Sequence, residues 1–301
     1  MFRDRSTLRF VGAAALTVAV AWPGTVSATV ITPLDEFLIT RSGITNSQLG
    51  SYGGQQVWYR DSFSDGASPP SGGAFFNGTS GTYGVLGSYP AGSESRGQLT
   101  LNSALGGPYI NANGGGRVLQ RSTLQTDVDP ESQAGLKKAF HTFSVFGLFG
   151  LTTPPNRGDG YGISVSDGGP SGATEAIDLF VRREENNNVV VRLQEQDFLN
   201  AVVRTLELDA LVVPTGADQI ELRLQRGDLA TGLLTASYRF WDDGAVLTDF
   251  IVMSSTADFF TNNGWARGNF FAVQLIPEPG VLSLLLLATG LLAFTRTRRG
   301  G

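Results

Sequence analysis

Four runs between residues 161 and 225 alternate with a period of two, and that rhythm commits the chain to extended structure. Ile177, Leu179 and Val181 alternate with Asp178, Phe180 and Arg182. Val189, Val191 and Leu193 alternate with Val190, Arg192 and Gln194, and Ile220, Leu222 and Leu224 with Glu221, Arg223 and Gln225. Tyr161, Ile163 and Val165 are spaced the same way among small residues. Successive side chains of a strand point to opposite faces, so each run predicts a strand with one buried and one wet face. The spacing of an amphipathic helix is absent from these windows. The polar link Glu184-Glu185-Asn186-Asn187-Asn188 predicts a hairpin over residues 177–195.

The rest of the middle region reads the same way. Residues 139–149 (AFHTFSVFGLF) are aromatic and β-prone, and 237–241 and 270–275 add strands. Residues 201–208 fit a strand or a short helix, and the strand is favoured. Earlier, Gly53-Gly54, Pro69-Pro70-Ser71-Gly72-Gly73, Gly106-Gly107-Pro108 and Gly114-Gly115-Gly116 mark turns. Short strands are expected between them at 55–60, 98–102 and 117–120. Many short strands with hairpin links predict an all-β fold, an antiparallel two-layer β-sandwich.

The two ends follow a different grammar. Arg3, Arg5 and Arg9 precede an uncharged apolar run of 13 residues, 10–22, and Val26-Ser27-Ala28 follows. That order predicts a secretory signal peptide, residues 1–28, with cleavage by signal peptidase expected after Ala28. At the other end stand Pro277-Glu278-Pro279, an apolar run of 14 residues at 281–294, and Arg296, Arg298 and Arg299. The run is short beside the roughly 20 residues of a comfortable span, although neighbouring apolar residues and snorkelling arginines extend it. The terminal arginines set the topology by staying cytoplasmic, which leaves the body outside. The two prolines break any helix ahead of the run and leave the motif extended.

Pro277-Glu278-Pro279, the leucine-rich hydrophobic helix and the basic end, taken together over residues 277–301, resemble a PEP-CTERM sorting signal. The resemblance implies that Pro277, Glu278 and Pro279 are recognised by an exosortase, a membrane protease. It also implies a Gram-negative host, transient anchoring in the inner membrane through 281–294, and delivery to the cell surface, outer membrane or an exopolysaccharide matrix. The stretch from Gly160-Tyr161-Gly162-Ile163 through 177–182, 189–194 and 218–224 resembles a concanavalin-like (lectin/glucanase) jelly roll. That resemblance lies in strand rhythm and implies a glycan-binding or glycan-cleaving face on the domain spanning 29–276.

Charge and composition then remove function classes. The chain carries 22 basic and 27 acidic residues. Segments 1–28 and 277–301 hold six of the basic and two of the acidic ones, so the middle has 16 against 25, a net charge of −9. Such a balance disfavours nucleic acid as a partner. There is no cysteine, which excludes disulfides, thiolate metal sites and cysteine nucleophiles. His141 is the only histidine, so a multi-histidine metal site is excluded, and its aromatic strand context predicts a structural role.

Laminarinase-like relatives of the jelly roll place alternate carboxylates on one strand face. Here Glu175 and Asp178 are three apart and face opposite sides of a strand, and Phe180 stands where a further carboxylate would be. The expectation is therefore a non-enzymatic protein, with a glycosidase built from carboxylates on distant strands as an alternative and a ligand-free structural protein as another. For Ca²⁺, the oxygen-rich candidates are Asp159, Asp167, Asp242 and Asp243, although Asp-Gly pairs are also ordinary turn chemistry. Trp58, Tyr59, Tyr238, Trp241 and Trp265 could stack on sugars or pack the core. Trp241-Asp242-Asp243 is the candidate ligand-binding group, with exopolysaccharide as the ligand.

Overall fold

The computed structural model describes residues 31–43, 50–62, 74–76, 84–86, 98–102, 107–110, 116–125, 136–137, 141–167, 175–197, 202–230, 233–255 and 265–275. Residues 1–28 with Ala28, the Pro277-Glu278-Pro279 motif, the apolar run 281–294 and Arg296, Arg298 and Arg299 lie outside the described residues. Those described form nineteen strands and no helix, so no described helix could cross a membrane.

The first half supplies β1 (Ile31–Arg41), β2 (Ser51–Tyr52), β3 (Gln55–Asp61), β4 (Ala74–Phe76), β5 (Gly84–Leu86), β6 (Leu99–Asn102), β7 (Gly107–Ile110), β8 (Gly116–Gln125) and β9 (Leu136–Lys137). The second half supplies β10 (Phe143–Gly150), β11 (Gly160–Asp167), β12 (Glu175–Arg183), β13 (Val189–Asp197), β14 (Val202–Ala210), β15 (Gln219–Arg226), β16 (Thr235–Asp242), β17 (Ala245–Val246), β18 (Ile251–Ser255) and β19 (Trp265–Leu275). A ten-stranded sheet runs in the order β17-β16-β15-β10-β1-β3-β2, with β18, β4 and β6 attached at β16, β3 and β1. A nine-stranded sheet runs β14-β13-β12-β11-β19-β8-β5, with β7 and β9 attached at β8 and β19. The described pairings are antiparallel, including the predicted β12–β13 hairpin, in which Leu179 meets Leu193.

The two curled sheets pack face to face as a sandwich, with β10 and β15 lying against β11 and β12. One set of each alternation fills the space between them. Ile163, Leu179, Val181, Val191 and Leu193 from one sheet meet Phe37, Phe149, Ile220, Leu222 and Leu224 from the other. Full burial of each such side chain contributes about 1.5–3 kcal/mol. Tyr161 joins this core through its ring, and its hydroxyl donates to the Thr152 carbonyl at 2.9 Å, tying down the β10–β11 connection. Burial pushes its phenol up to about 12.

Two sequence expectations need correction. The outer face of β12 is not wet: Asp178, Phe180 and Arg182 are 2%, 1% and 7% exposed. Period two identifies which side chains share a face, but it does not say whether that face is covered. Phe180 lies across Gly162 of β11 and meets Phe271 of β19, with ring centroids 5.6 Å apart, forming a second small apolar cluster with Val273. His141, in turn, precedes β10 instead of lying within it. It is buried, and its carbonyl accepts a hydrogen bond from Arg226 Nη1 at 3.1 Å.

Candidate functional site

The outward residues of the ten-stranded sheet fall into three rows. Register pairs Arg60 with Leu38, Leu38 with Phe146, Phe146 with Arg223 and Arg223 with Ser237. The next row is Glu36, Leu148, Glu221 and Arg239, and the third pairs Gln219 with Trp241. Alternation thus delivers two carboxylates, three guanidiniums and an indole to one surface.

Two short segments fold over this surface. The β2–β3 hairpin turns at Gly53 and Gly54, whose φ angles of 57° and 80° suit glycine in a two-residue loop. The turn lays the Tyr52 ring edge-on against Phe146, centroids 4.9 Å apart. On the other side, residues 247–250 follow β17, and the Phe240 N–H donates to Thr248 Oγ1 at 3.0 Å. Phe250 then sits under Arg223 and Arg239, whose guanidinium carbons are 3.8 and 4.3 Å from its ring centroid.

Glu221 is the hub. Tyr52 Oη donates to Oε1 at 2.9 Å, while Arg239 Nε and Trp241 Nε1 both donate to Oε2, at 2.6 and 2.7 Å. Arg239 also donates to Tyr52 Oη at 3.0 Å and stacks 5.1 Å from the Trp241 ring. Burial, with Glu221 second, pushes the Tyr52 phenol well above its usual range. Burial likewise raises Glu36, and its ion pair with Arg60 only partly offsets this. Burial opposes the charge on Arg239, but Glu221 and Tyr52 outweigh it and raise its pKa. Arg223 is lowered, chiefly by burial.

Trp241 therefore belongs to a cluster, and its neighbours Asp242 and Asp243 do not. Asp243 (φ 44°) and Gly244 (φ 78°) are the two loop residues of the β16–β17 hairpin, so this Asp-Gly pair is turn chemistry. Asp242 is exposed, with its carboxylate lying over Gly216. Asp159 is buried, and its Oδ2 accepts from the Asn156 N–H and Nδ2 at 3.0 and 2.8 Å. Asp167 closes β11. Among the described residues, no three His, Cys, Asp or Glu side chains gather as a metal site. Trp58, Tyr59 and Tyr238 belong to the core, at 1%, 1% and 4% exposure, and Trp265 opens β19.

Asp178 anchors a different network, on the outer face of the nine-stranded sheet. Its Oδ2 accepts from Gln194 Nε2 at 3.0 Å and from Gln196 Nε2. In the same row Asn269 Nδ2 donates to Ser164 and Ser166, both at 3.2 Å. These residues are all buried, so the network pairs polar groups inside the fold, though Gln194 Oε1 is left without a hydrogen bond among the described residues.

Sequence reasoning found Trp241 and missed Glu221, Arg223, Arg239, Tyr52 and Phe250. The available signal was the pair of polar alternations, Glu221-Arg223-Gln225 and Ser237-Arg239-Trp241, which share one face once β15 and β16 pair. No protein-family model matches the chain, and no curated protein sequence matches it significantly.

Proposed function

We propose that this is an exported cell-surface or matrix protein whose β-sandwich binds polysaccharide. Export rests on the signal segment ending at Ala28. Sorting rests on Pro277-Glu278-Pro279 with its apolar run and arginines, cut by an exosortase. The sandwich is read as a concanavalin-like jelly roll. The observation that carries the binding reading is the outward cluster around Glu221. Trp241 and Tyr52 offer apolar ring surface, and the arginines that Phe250 backs offer donors for hydroxyl or acid groups, the usual chemistry of a sugar site.

Retention of the native envelope protein on its host's own polysaccharide tests this, with Trp241→Ala as the comparison. Retention weakened by the substitution supports the reading, and no retention by either form refutes it. Mass spectrometry of the same material tests the sorting reading. Chains starting near Thr29 and ending near Pro277 are expected, and a terminus at Gly301 contradicts proteolytic delivery.

One observation favours a second reading, glycoside hydrolysis. Glu36 and Glu221 share a row two strands apart, a backbone separation of about 10 Å, and their surroundings differ. Hydrolases place paired carboxyls about 5–10 Å apart and shift one toward the acid form. Glu221 is only 1% exposed and holds three donors, which leaves it little freedom as base or nucleophile. Turnover of the host polymer, abolished by Glu36→Gln, would establish this reading.

A further inference from the structure

One guanidinium on the Glu221 face has no ion-pair partner among the described residues. Arg60 pairs with Glu36, and Arg239 pairs with Glu221. Arg223 stands between them in register and forms no ion pair among the described residues. Its Nε donates to Ser237 Oγ at 2.8 Å, and its guanidinium carbon lies 3.8 Å from the Phe250 ring centroid. Its two terminal nitrogens make no hydrogen bond among the described residues. Asp249, the exposed carboxylate beside Phe250, forms no ion pair with it.

A guanidinium stays charged in any such setting. Holding one half-buried without a carboxylate in direct contact costs stability. Arg223 and Arg239 flank the single ion-paired carboxylate of Glu221, while Asp35, a further carboxylate of this face, is held by Gln219 at the other end of β15. The positive spot at Arg223 is thus local, in a chain whose net charge is −5. The free edge of Arg223 is the part that grips a carboxylate through two parallel N–H···O bonds. Phe250 holds the guanidinium plane in place, and Tyr52 and Trp241 flank the same surface.

Resting on the polysaccharide reading above, we infer that this face takes an acidic polymer, with Arg223 as the group that meets the carboxylate of a uronate unit. A neutral glycan would bring hydroxyls to the rings but leave the Arg223 charge unanswered. The site thus reads the acid group by charge and the sugar ring by stacking.

The test uses the native envelope protein and two forms of one polymer: polygalacturonate and its fully methyl-esterified counterpart, which differ in charge and not in sugar. Wild type should bind the free acid about tenfold or more tightly than the ester, the range of one charge-assisted contact. Arg223→Gln should erase that difference, while Arg204→Gln on β14 of the other sheet should leave it intact. Arg223→Lys keeps the charge but loses the fork, and should restore part of the preference. Equal or tighter binding of the ester overturns the acidic assignment and leaves polysaccharide binding standing. Failure of wild type to bind the free acid, the ester and the host polymer overturns both. The comparison of the two polymers with wild type needs no variant to fold.

Discussion

The indole Nε1 of Trp241 donates to Glu221 Oε2 at 2.7 Å, and the same oxygen accepts Arg239 Nε at 2.6 Å. The indole of the proposed ligand surface is therefore fixed in orientation by a buried carboxylate. Glu221→Ala removes the shared acceptor and strands a guanidinium, an indole N–H and a phenol. A loss approaching about 3 kcal/mol is expected, the lower end for a buried ion pair broken on one side, since Arg239 is partly exposed. Glu221→Gln retains an acceptor and should lose less. Urea unfolding followed by tryptophan fluorescence gives both values.

Gly162 tests the packing of the nine-stranded sheet. A Cβ there would collide with the Leu179 carbonyl oxygen and with Phe180 Cβ and Cα. Two of these three atoms are backbone and Cβ is fixed to it, so no rotamer change relieves the clash. Gly162→Ala should cost about 3 kcal/mol or more, at or above the upper end for overpacking. Thermal unfolding measures it, with Gly227→Ala, where nothing lies within 4 Å, as the mild comparison.

The β16–β17 hairpin separates turn chemistry from metal binding. Gly244 has φ 78°, so Gly244→Ala should lower stability by about 1 kcal/mol. Asp243→Asn keeps a residue that tolerates φ 44° and should leave the melting temperature unchanged, whether Ca²⁺ or a chelator is present. A Ca²⁺-dependent melting shift that Asp243→Asn abolishes would instead make this turn a metal site.

Tyr161 and Tyr238 predict an alkaline limit to stability. Their folded pKa values are pushed from 10.0 up to about 12, first by burial, and Tyr52 is raised as well. A raised acid favours the protonated folded state, so this contribution is complete below pH 10. It is lost as pH climbs from 10 to 12. For the fully buried Tyr161 the loss amounts to about 2–3 kcal/mol. Tyrosinate absorbance should therefore rise in step with unfolding above pH 10. Free titration of all the tyrosines near pH 10 in a still-folded protein would contradict it.

The strands were legible because period two survives without knowledge of partners. Ile177–Val181, Val189–Leu193 and Ile220–Leu224 need only their own neighbours to declare a face, and the described part of the 201–208 run, from Val202 on, is a strand as favoured. What lies over a face is set by distant residues, which is why Asp178 and Phe180 read as wet and are buried. The Glu221 cluster was hidden for the same reason. Tyr52 reaches it across 169 residues of sequence through a hairpin whose position depends on β3 joining β1. Trp241 was legible from its own chemistry, but the carboxylate at its indole N–H comes from Glu221 on the neighbouring strand and not from the adjacent aspartates.

Oxidative footprinting of the native protein with and without its host's polysaccharide addresses the central claim most directly. Protection should fall on Tyr52, Trp241 and Phe250, all on the outer face of the ten-stranded sheet. The core residues Trp58 and Tyr161 should remain unreactive in both states. Binding of the polymer with unchanged oxidation at Tyr52, Trp241 and Phe250 would contradict the account.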